Sequence, residues 1–157
     1  MGDVSLVELN EENWMDFASL SVNEDQRSFL ASNIGIIARG YVYRDSNARV
    51  IGIASDGEAV GLLLVRDLDE EPACYDLQQF MIDGKTQGKG YGSKALQLIL
   101  ESLSKERRYD CVEVCVKKED TAALHVYEKA GFIDTGYIDE DAPDSLNLMY
   151  HFKPAGK

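Results

Sequence analysis

Little in this 157-residue sequence suits disulfide or metal chemistry: it has three cysteines, two histidines and one tryptophan. Cys74, Cys111 and Cys115 form no CxxC pair, and His125 and His151 stand far apart. An odd thiol count excludes a fully paired disulfide framework, and no Cys/His spacing fits zinc. No metal is therefore expected. The thiols read as small buried hydrophobes in a reducing, cytoplasmic compartment. No apolar run approaches the ~18 residues that a membrane span needs. The opening residues, MGDVSLVELNEENW, have neither a basic n-region nor an apolar h-region, so a cleaved signal peptide is not expected. The three prolines, at 72, 143 and 154, fall in loops or the tail, and no repeat, low-complexity tract or linker is visible. The length then points to one domain over residues 1–157.

Positive charge is also scarce. Sixteen Lys and Arg face 28 Asp and Glu, for a net charge of −12. That field repels nucleic-acid backbone and anionic lipid, which argues against a nucleic-acid or membrane-surface partner. It attracts a cationic small molecule, although acidity also serves solubility. At 45% hydrophobic residues the chain has enough apolar material for a core.

Asp3 to Leu9 is apolar enough for a strand, and Asn10 can cap a short helix with Trp14, Phe17 and Ala18 on one face. Ser21 and Glu24 form a capping-box pattern, with Glu24 and Asp25 opening a second helix. Leu30, Ile34, Ile37 and Tyr41 then recur at helical spacing. Two apolar runs around Asp56-Gly57 predict a hairpin with a two-residue turn. After an acidic loop with Pro72, a strand runs from about Tyr75 to Ile82. Leu96, Ile99, Leu100 and Leu103 mark an amphipathic helix. CVEVCV, 111–116, alternates and is β-branched, as a strand requires. Asp120 can cap a helix that ends at Gly131. Phe132 to Ile138 and Leu146 to Phe152 read as two last strands. The order β-α-α-β-β-β-α-β-α-β-β predicts a mixed α/β (α+β) fold, a sheet with helices on its faces.

The chemistry concentrates in Gln87-Gly88-Lys89-Gly90-Tyr91-Gly92-Ser93-Lys94, between a strand and a helix start. Glycines at 88, 90 and 92 let backbone N–H groups approach one anion, with the positive end of the helix dipole behind them. The local charge reverses: Lys85, Lys89 and Lys94 are present and no acid lies between Gly84 and Lys94. The Walker spacing is absent, and Ser93 stands where a dinucleotide fingerprint requires a glycine or alanine. A phosphate site of another kind remains, beside the alternative of a glycine-rich turn without a ligand.

Gln87-Gly-Lys-Gly90-Tyr-Gly92 resembles the Q/R-x-x-G-x-G/A loop of the GNAT acetyltransferases. Downstream, Asp120-Thr-Ala-Ala123-Leu-His-Val-Tyr127-Glu-Lys-Ala-Gly131-Phe132 resembles the same family's N-x-x-A-x-x-x-Y-E-K-x-G-F segment. The likeness covers essentially the whole chain. SVNEDQRSFLASN and FMIDGKTQGKGYGSKAL look most like the bacterial spermine/spermidine (diamine) branch. The chain departs from the family at Asp120, where Asn is usual.

The resemblance implies a GNAT fold: a mixed, mostly antiparallel sheet of six to seven strands with about four helices, splayed between the fourth and fifth strands. It implies acetyl-CoA as co-substrate and no metal. The pyrophosphate would lie on Gln87, Gly88, Lys89, Gly90, Tyr91, Gly92 and Ser93, and the pantetheine arm along Phe80, Met81 and Ile82. Asp120 and Ala123 would stand at the cofactor, and Tyr127 would protonate the leaving thiolate. Relatives often dimerise, so a homodimer is within the expectation.

The general base is open. Many relatives carry a carboxylate on the fourth strand where Gln78 and Gln79 stand here, which leaves Asp76, Glu113 or a water chain. Acceptor contacts are expected from Glu24, Asp25, Asp76, Gln78 and Gln79. The acidic clusters at 67–71 and 134–144 could also hold ammonium groups. The leading expectation is acetyl transfer to a primary amine, a polyamine such as spermidine or spermine, in a ternary complex. An amino acid, an aminoglycoside or a protein N-terminus are alternative acceptors, and a non-catalytic acyl-CoA-binding module is the alternative of another class.

Overall fold

The structure of the protein, a computed structural model, describes residues 2–154. Its elements follow the expected order: β1 (Val4–Glu8), α1 (Trp14–Ala18), α2 (Asn33–Val42), β2 (Arg49–Ser55), β3 (Glu58–Leu68), β4 (Cys74–Ile82), α3 (Tyr91–Glu106), β5 (Cys111–Lys117), α4 (Thr121–Ala130), β6 (Ile133–Asp134) and β7 (Ser145–His151). One seven-stranded sheet runs β1-β2-β3-β4-β5-β7-β6. Every neighbouring pair is antiparallel except β4–β5. Among the described residues no helix is long and apolar enough to cross a membrane.

Local chemistry explains most of the boundaries. Asp56 (φ 51°) and Gly57 (φ 84°) both sit in the left-handed region, as a two-residue turn matched to strand twist requires. α3 buries Ala95, Leu96, Ile99, Leu100 and Leu103, and its last turn closes with the N–H of Arg107 on the carbonyl of Leu103. α4 starts at Asp120, whose carboxylate accepts from the N–H of Ala123 at 3.2 Å, and stops at Gly131 with φ 111°.

The two sheet faces carry separate cores. Ile53, Leu63, Tyr75, Leu77, Val112 and Val114 meet α3 and α4 on one face. Phe17, Ile36, Leu62, Leu64 and Met81 meet α1 and α2 on the other. There α1 and α2 pack chiefly over β2 and β3. Cys74, Cys111 and Met149 form a small third cluster on the sheet, near β5. Cys74 and Cys111 are buried, as expected, but Cys115 is exposed.

Two expectations need correction. The second helix does not start at Ser21 or at Glu24 and Asp25. Residues 24–29 form a 3-10 turn, and α2 starts only after Ser32, whose hydroxyl accepts from the N–H of Gly35 at 3.1 Å. Ser21 is tied elsewhere: its N–H donates to Asp83 Oδ1 and its carbonyl accepts from Gly84. Consequently α2 buries Asn33 and Ile36, while Ile34 and Tyr41 are 58% and 69% exposed. The strand expected over 132–138 is also shorter, pairing only at Ile133 and Asp134. Thr135 then donates its N–H and hydroxyl to the Asn147 carbonyl, and Gly136 takes a φ of 79° that turns the chain away.

Gly61 on β3 lies opposite Ile82, and a Cβ there would stand 2.5 Å from the Met81 carbonyl oxygen. Backbone rather than a flexible side chain would have to yield. We expect Gly61→Ala to destabilise the fold by about 1–3 kcal/mol, within the usual range for overpacking. Denaturant unfolding checks this, and an unchanged midpoint would contradict the packing.

Candidate active site

The site begins with a change of register in β4. Leu64 faces Gln79 across the β3–β4 ladder but Val65 faces Leu77, so Gln78 is an extra residue. Such a bulge bends its strand and re-aims side chains. Tyr75 and Leu77 before it, and Phe80 and Ile82 after it, all point to the α3/α4 face. Gln78 and Gln79 both reach the opposite face. Gln78 Oε1 accepts from Arg39 at 3.0 Å, and Gln79 Oε1 accepts from the N–H of Ala31 at 3.1 Å.

β4 also leaves its other neighbour. It pairs with β5 only at Tyr75–Val112 and Asp76–Glu113. Beyond Asp76 its β5-facing backbone groups have no strand partner, and the sheet opens into a wedge. A cavity of about 360 Å³ lies beside the freed part of β4, between it, the glycine loop and α4. It joins residues distant in sequence: Phe80, Met81 and Ile82 of β4; Gln87, Gly88, Gly90, Tyr91, Gly92 and Ser93 of the glycine loop and α3; and Asp120, Ala123 and Tyr127 of α4. Lys89, from the same expected set, does not line it. Glu24, Asp25, Asp76, Gln78 and Gln79 do not line it either.

The loop end suits an anion. Gly88 and Gly90 have φ of 81° and 84°, and no side chain caps the start of α3. The first N–H groups of a helix have no partner within it, so this 16-residue helix presents unsatisfied donors and a positive dipole end to the cavity. Past Ser93 and Val126, the cavity adjoins a wider groove of about 600 Å³ between α3 and α4, bordered by Lys105, Lys129, Lys153 and Glu101.

The inner end is apolar with one hydroxyl. Tyr127 is 7% exposed and packs edge-on to Phe80 and Phe132, with ring centroids 6.3 and 5.3 Å away. It is a core residue and a cavity residue at once. Burial, and then the charge of Asp120, push its phenol well above the ordinary value. It therefore holds its proton throughout the neutral range.

The two carboxylates considered for a base meet where the strands part. Asp76 Oδ2 is held by Arg66 at 3.0 Å, and Arg66 also lies over the Tyr43 ring. Burial raises the Asp76 pKa although Arg66 pulls it down. Among the described residues Glu113 has no cation beside it, only a weak contact from the Cys74 thiol at 3.9 Å. Burial, then the charges of Asp76 and Glu70, raise its pKa. Asp139 adds to the same field, so Glu70 and Asp139 bring the two outer acidic clusters toward Glu113. Asp67 is neutralised elsewhere, by Arg108.

Val22, Gln26 and Leu30 also line the cavity; they lie in the SVNEDQRSFLASN stretch, whose resemblance did not single them out as site residues. Gln26 lies in the 3-10 segment, with Val22 and Leu30 at its two ends. Among the described residues no group of three or more His, Cys, Asp or Glu side chains could hold a metal ion.

The sequence profile of the Acetyltransferase (GNAT) family matches residues 6–132. Spermine/spermidine N(1)-acetyltransferase of Bacillus subtilis is 22% identical over 144 residues, 87% of this chain and 91% of that one. The crystal structure of spermidine N-acetyltransferase from Vibrio cholerae, in complex with CoA and spermine, superposes with a TM-score of 0.73 at 17% identity over 94% of this chain and 95% of that chain. The ribosomal-protein-S18-alanine N-acetyltransferase from Escherichia coli gives 0.70 at 16% identity over 99% of this chain and 97% of that chain.

Burial raises the pKa of Asp120, the Ala123 N–H pulls it back, and the charge of Asp25 raises it again. The net shift is upward from 3.8, so the ionised side chain opposes folding above that pH and the opposition vanishes below it. Asparagine keeps the accepting oxygen without the charge. We expect Asp120→Asn to melt no lower than wild type at pH 7, with any advantage shrinking as the pH falls towards 3.8. Asp120→Ala should lose the cap, about 0.5–2 kcal/mol. An asparagine variant less stable at neutral pH would refute this account.

Proposed function

The chain belongs to the acetyltransferase (GNAT) family, and we propose that it moves an acetyl group from acetyl-CoA to a primary amine, a polyamine such as spermidine or spermine, by direct transfer in a ternary complex. One observation carries the reading. The wedge between β4 and β5 has unsatisfied helix amides at one end and the Tyr127 hydroxyl at the other, with an acidic sheet face beyond.

The residues fit coenzyme A. The bare N-terminus of α3 and the left-handed glycines suit a pyrophosphate. The unpaired edge of β4 suits an extended amide arm, which would satisfy its backbone groups. The lysine-bordered groove suits a further phosphate. Bound acetyl-CoA supplies a thioester carbonyl open to attack and a thiolate that can leave. Around it, an N–H of β4 near Met81 or Ile82 meets the developing oxyanion, and Tyr127, still protonated, gives the thiolate its proton.

An alkyl ammonium has a pKa near 10 and must lose a proton before it attacks, and a water chain takes that proton to solvent. On the acceptor face Glu113 is the half-buried carboxylate without a cation, whereas Arg66 already holds Asp76. Glu113, with Glu70 and Asp139 in its field, is assigned to the charged nitrogens of the acceptor. The names of the Bacillus and Vibrio relatives support a polyamine. So does the net charge of −12.

Tyr127→Phe should lower kcat by about 10²–10⁴-fold, with little change in acetyl-CoA binding, because only the proton donor is lost. Release of free thiol in the presence of spermidine measures it. A kcat near wild type, with chemistry rate-limiting, would return Tyr127 to a packing role alone.

The acceptor is tested by salt. As ionic strength rises from about 0.01 to about 0.1 M, the screening length falls from about 30 to about 10 Å. KM for spermidine should rise steeply over that range, and KM for a monoamine should change less. Glu113→Gln should raise the spermidine KM more than it lowers kcat, since that contact is made before and during transfer. Polyamines no better than monoamines at low salt would overturn the acceptor assignment.

A further inference from the structure

Gln87 opens the glycine loop and lines the cavity, and its side-chain amide is bonded within the protein. Its Nε2 donates to Gln26 Oε1 at 2.8 Å and to the Ile82 carbonyl at 3.0 Å. Its Oε1 accepts from Asn23 Nδ2 at 3.3 Å. Both amide hydrogens are therefore used within the protein, and the group is committed to the 21–31 segment.

That segment depends on such ties. It is a 3-10 turn with no buried residue between Glu24 and Phe29, and 3-10 hydrogen bonds hold poorly by themselves. At one end Ser21 exchanges bonds with Asp83 and Gly84. At the other, the N–H of Ala31 donates to Gln79 beside the β4 bulge. Gln87 supplies the middle anchor. The approach is close: a Cβ on Gly84 would fall 2.4 Å from Asn23 Oδ1. Val22, Gln26 and Leu30 from this segment line the cavity, and Val22 and Leu30 pack on the α1/α2 side, where the amine would arrive.

We propose that Gln87 is a positioning residue that couples the cofactor loop to the acceptor-side wall. An anion held by residues 88–93 fixes the backbone at Gln87. The side chain carries that restraint to residues 22–31, so a loaded loop holds the wall that receives the amine more firmly. Coupling of this kind is reciprocal: amine binding tightens the loop by the same factor. The inference rests on the reading of the cavity as the acetyl-CoA slot.

Hydrogen exchange of the full chain, with and without saturating coenzyme A, tests it without requiring turnover. In wild type, coenzyme A should slow exchange in 88–93 and also in 22–31. In Gln87→Ala the effect should persist at 88–93 and fall to less than about half at 22–31. Gln26→Ala should do the same while coenzyme A affinity changes by less than about threefold, and should raise the spermidine KM by about five- to tenfold, within the usual span of coupling between sites. Gln26→Glu keeps the only atom that the Gln87 amide uses and should restore both readouts, which a merely structural role for residue 26 would not require. If Gln87→Ala does not fold, the Gln26 pair carries the test. Full protection of 22–31 in both alanine variants would overturn the coupling. Failure of wild type to bind coenzyme A would instead overturn the function proposed above.

Discussion

The parting of β4 from β5 after two residue pairs is the constraint on which the rest of the site depends. A sheet that stayed zipped would bury this edge and leave no passage between its faces. The bulge at Gln78 and the departure beyond Asp76 act together. They release one edge of β4 while β3 holds the other, so the strand stays rigid although half its backbone groups are free. The core supports this. Leu62, Leu63 and Leu64 of β3 are fully buried, alternating between the two helical layers behind β4.

Charge is sorted across that opening. The overall balance is strongly acidic, yet the stretch from Lys85 to Lys94 has no acid. The groove beyond it is bordered by three lysines and one acid, Glu101. On the other face Glu113, Glu70 and Asp139 accumulate without a compensating cation at Glu113. The raised pKa of Glu113 and that of Tyr127 share a leading cause, burial near the wedge.

The loop and the 3-10 segment show how one side chain can serve two parts of a site. The side chain at the head of the loop is engaged by Gln26 and by the Ile82 carbonyl. The same engagement gives residues 24–29, which bury nothing, a defined place.

Elements governed by neighbouring residues were legible from the sequence. The Asp56-Gly57 turn, the α3 stripe, the alternation in β5, the Asp120 cap and the Gly131 stop each depend on chemistry within one turn or one strand. The glycine loop and Tyr127 were legible because their spacing resembles a family whose fold this chain shares. Tertiary structure alone decided the start of α2, since Ser21 had a more distant partner in Asp83 than the helix could offer. It decided the shortness of β6, through Asn147, and the quenching of Asp76 by Arg66 on the neighbouring strand. It brought Gln26 to Gln87, 61 positions away. Short-range hydrogen bonds and side-chain period are written in consecutive residues, whereas a partner across a sheet or between loops is known only once the chain has closed on itself.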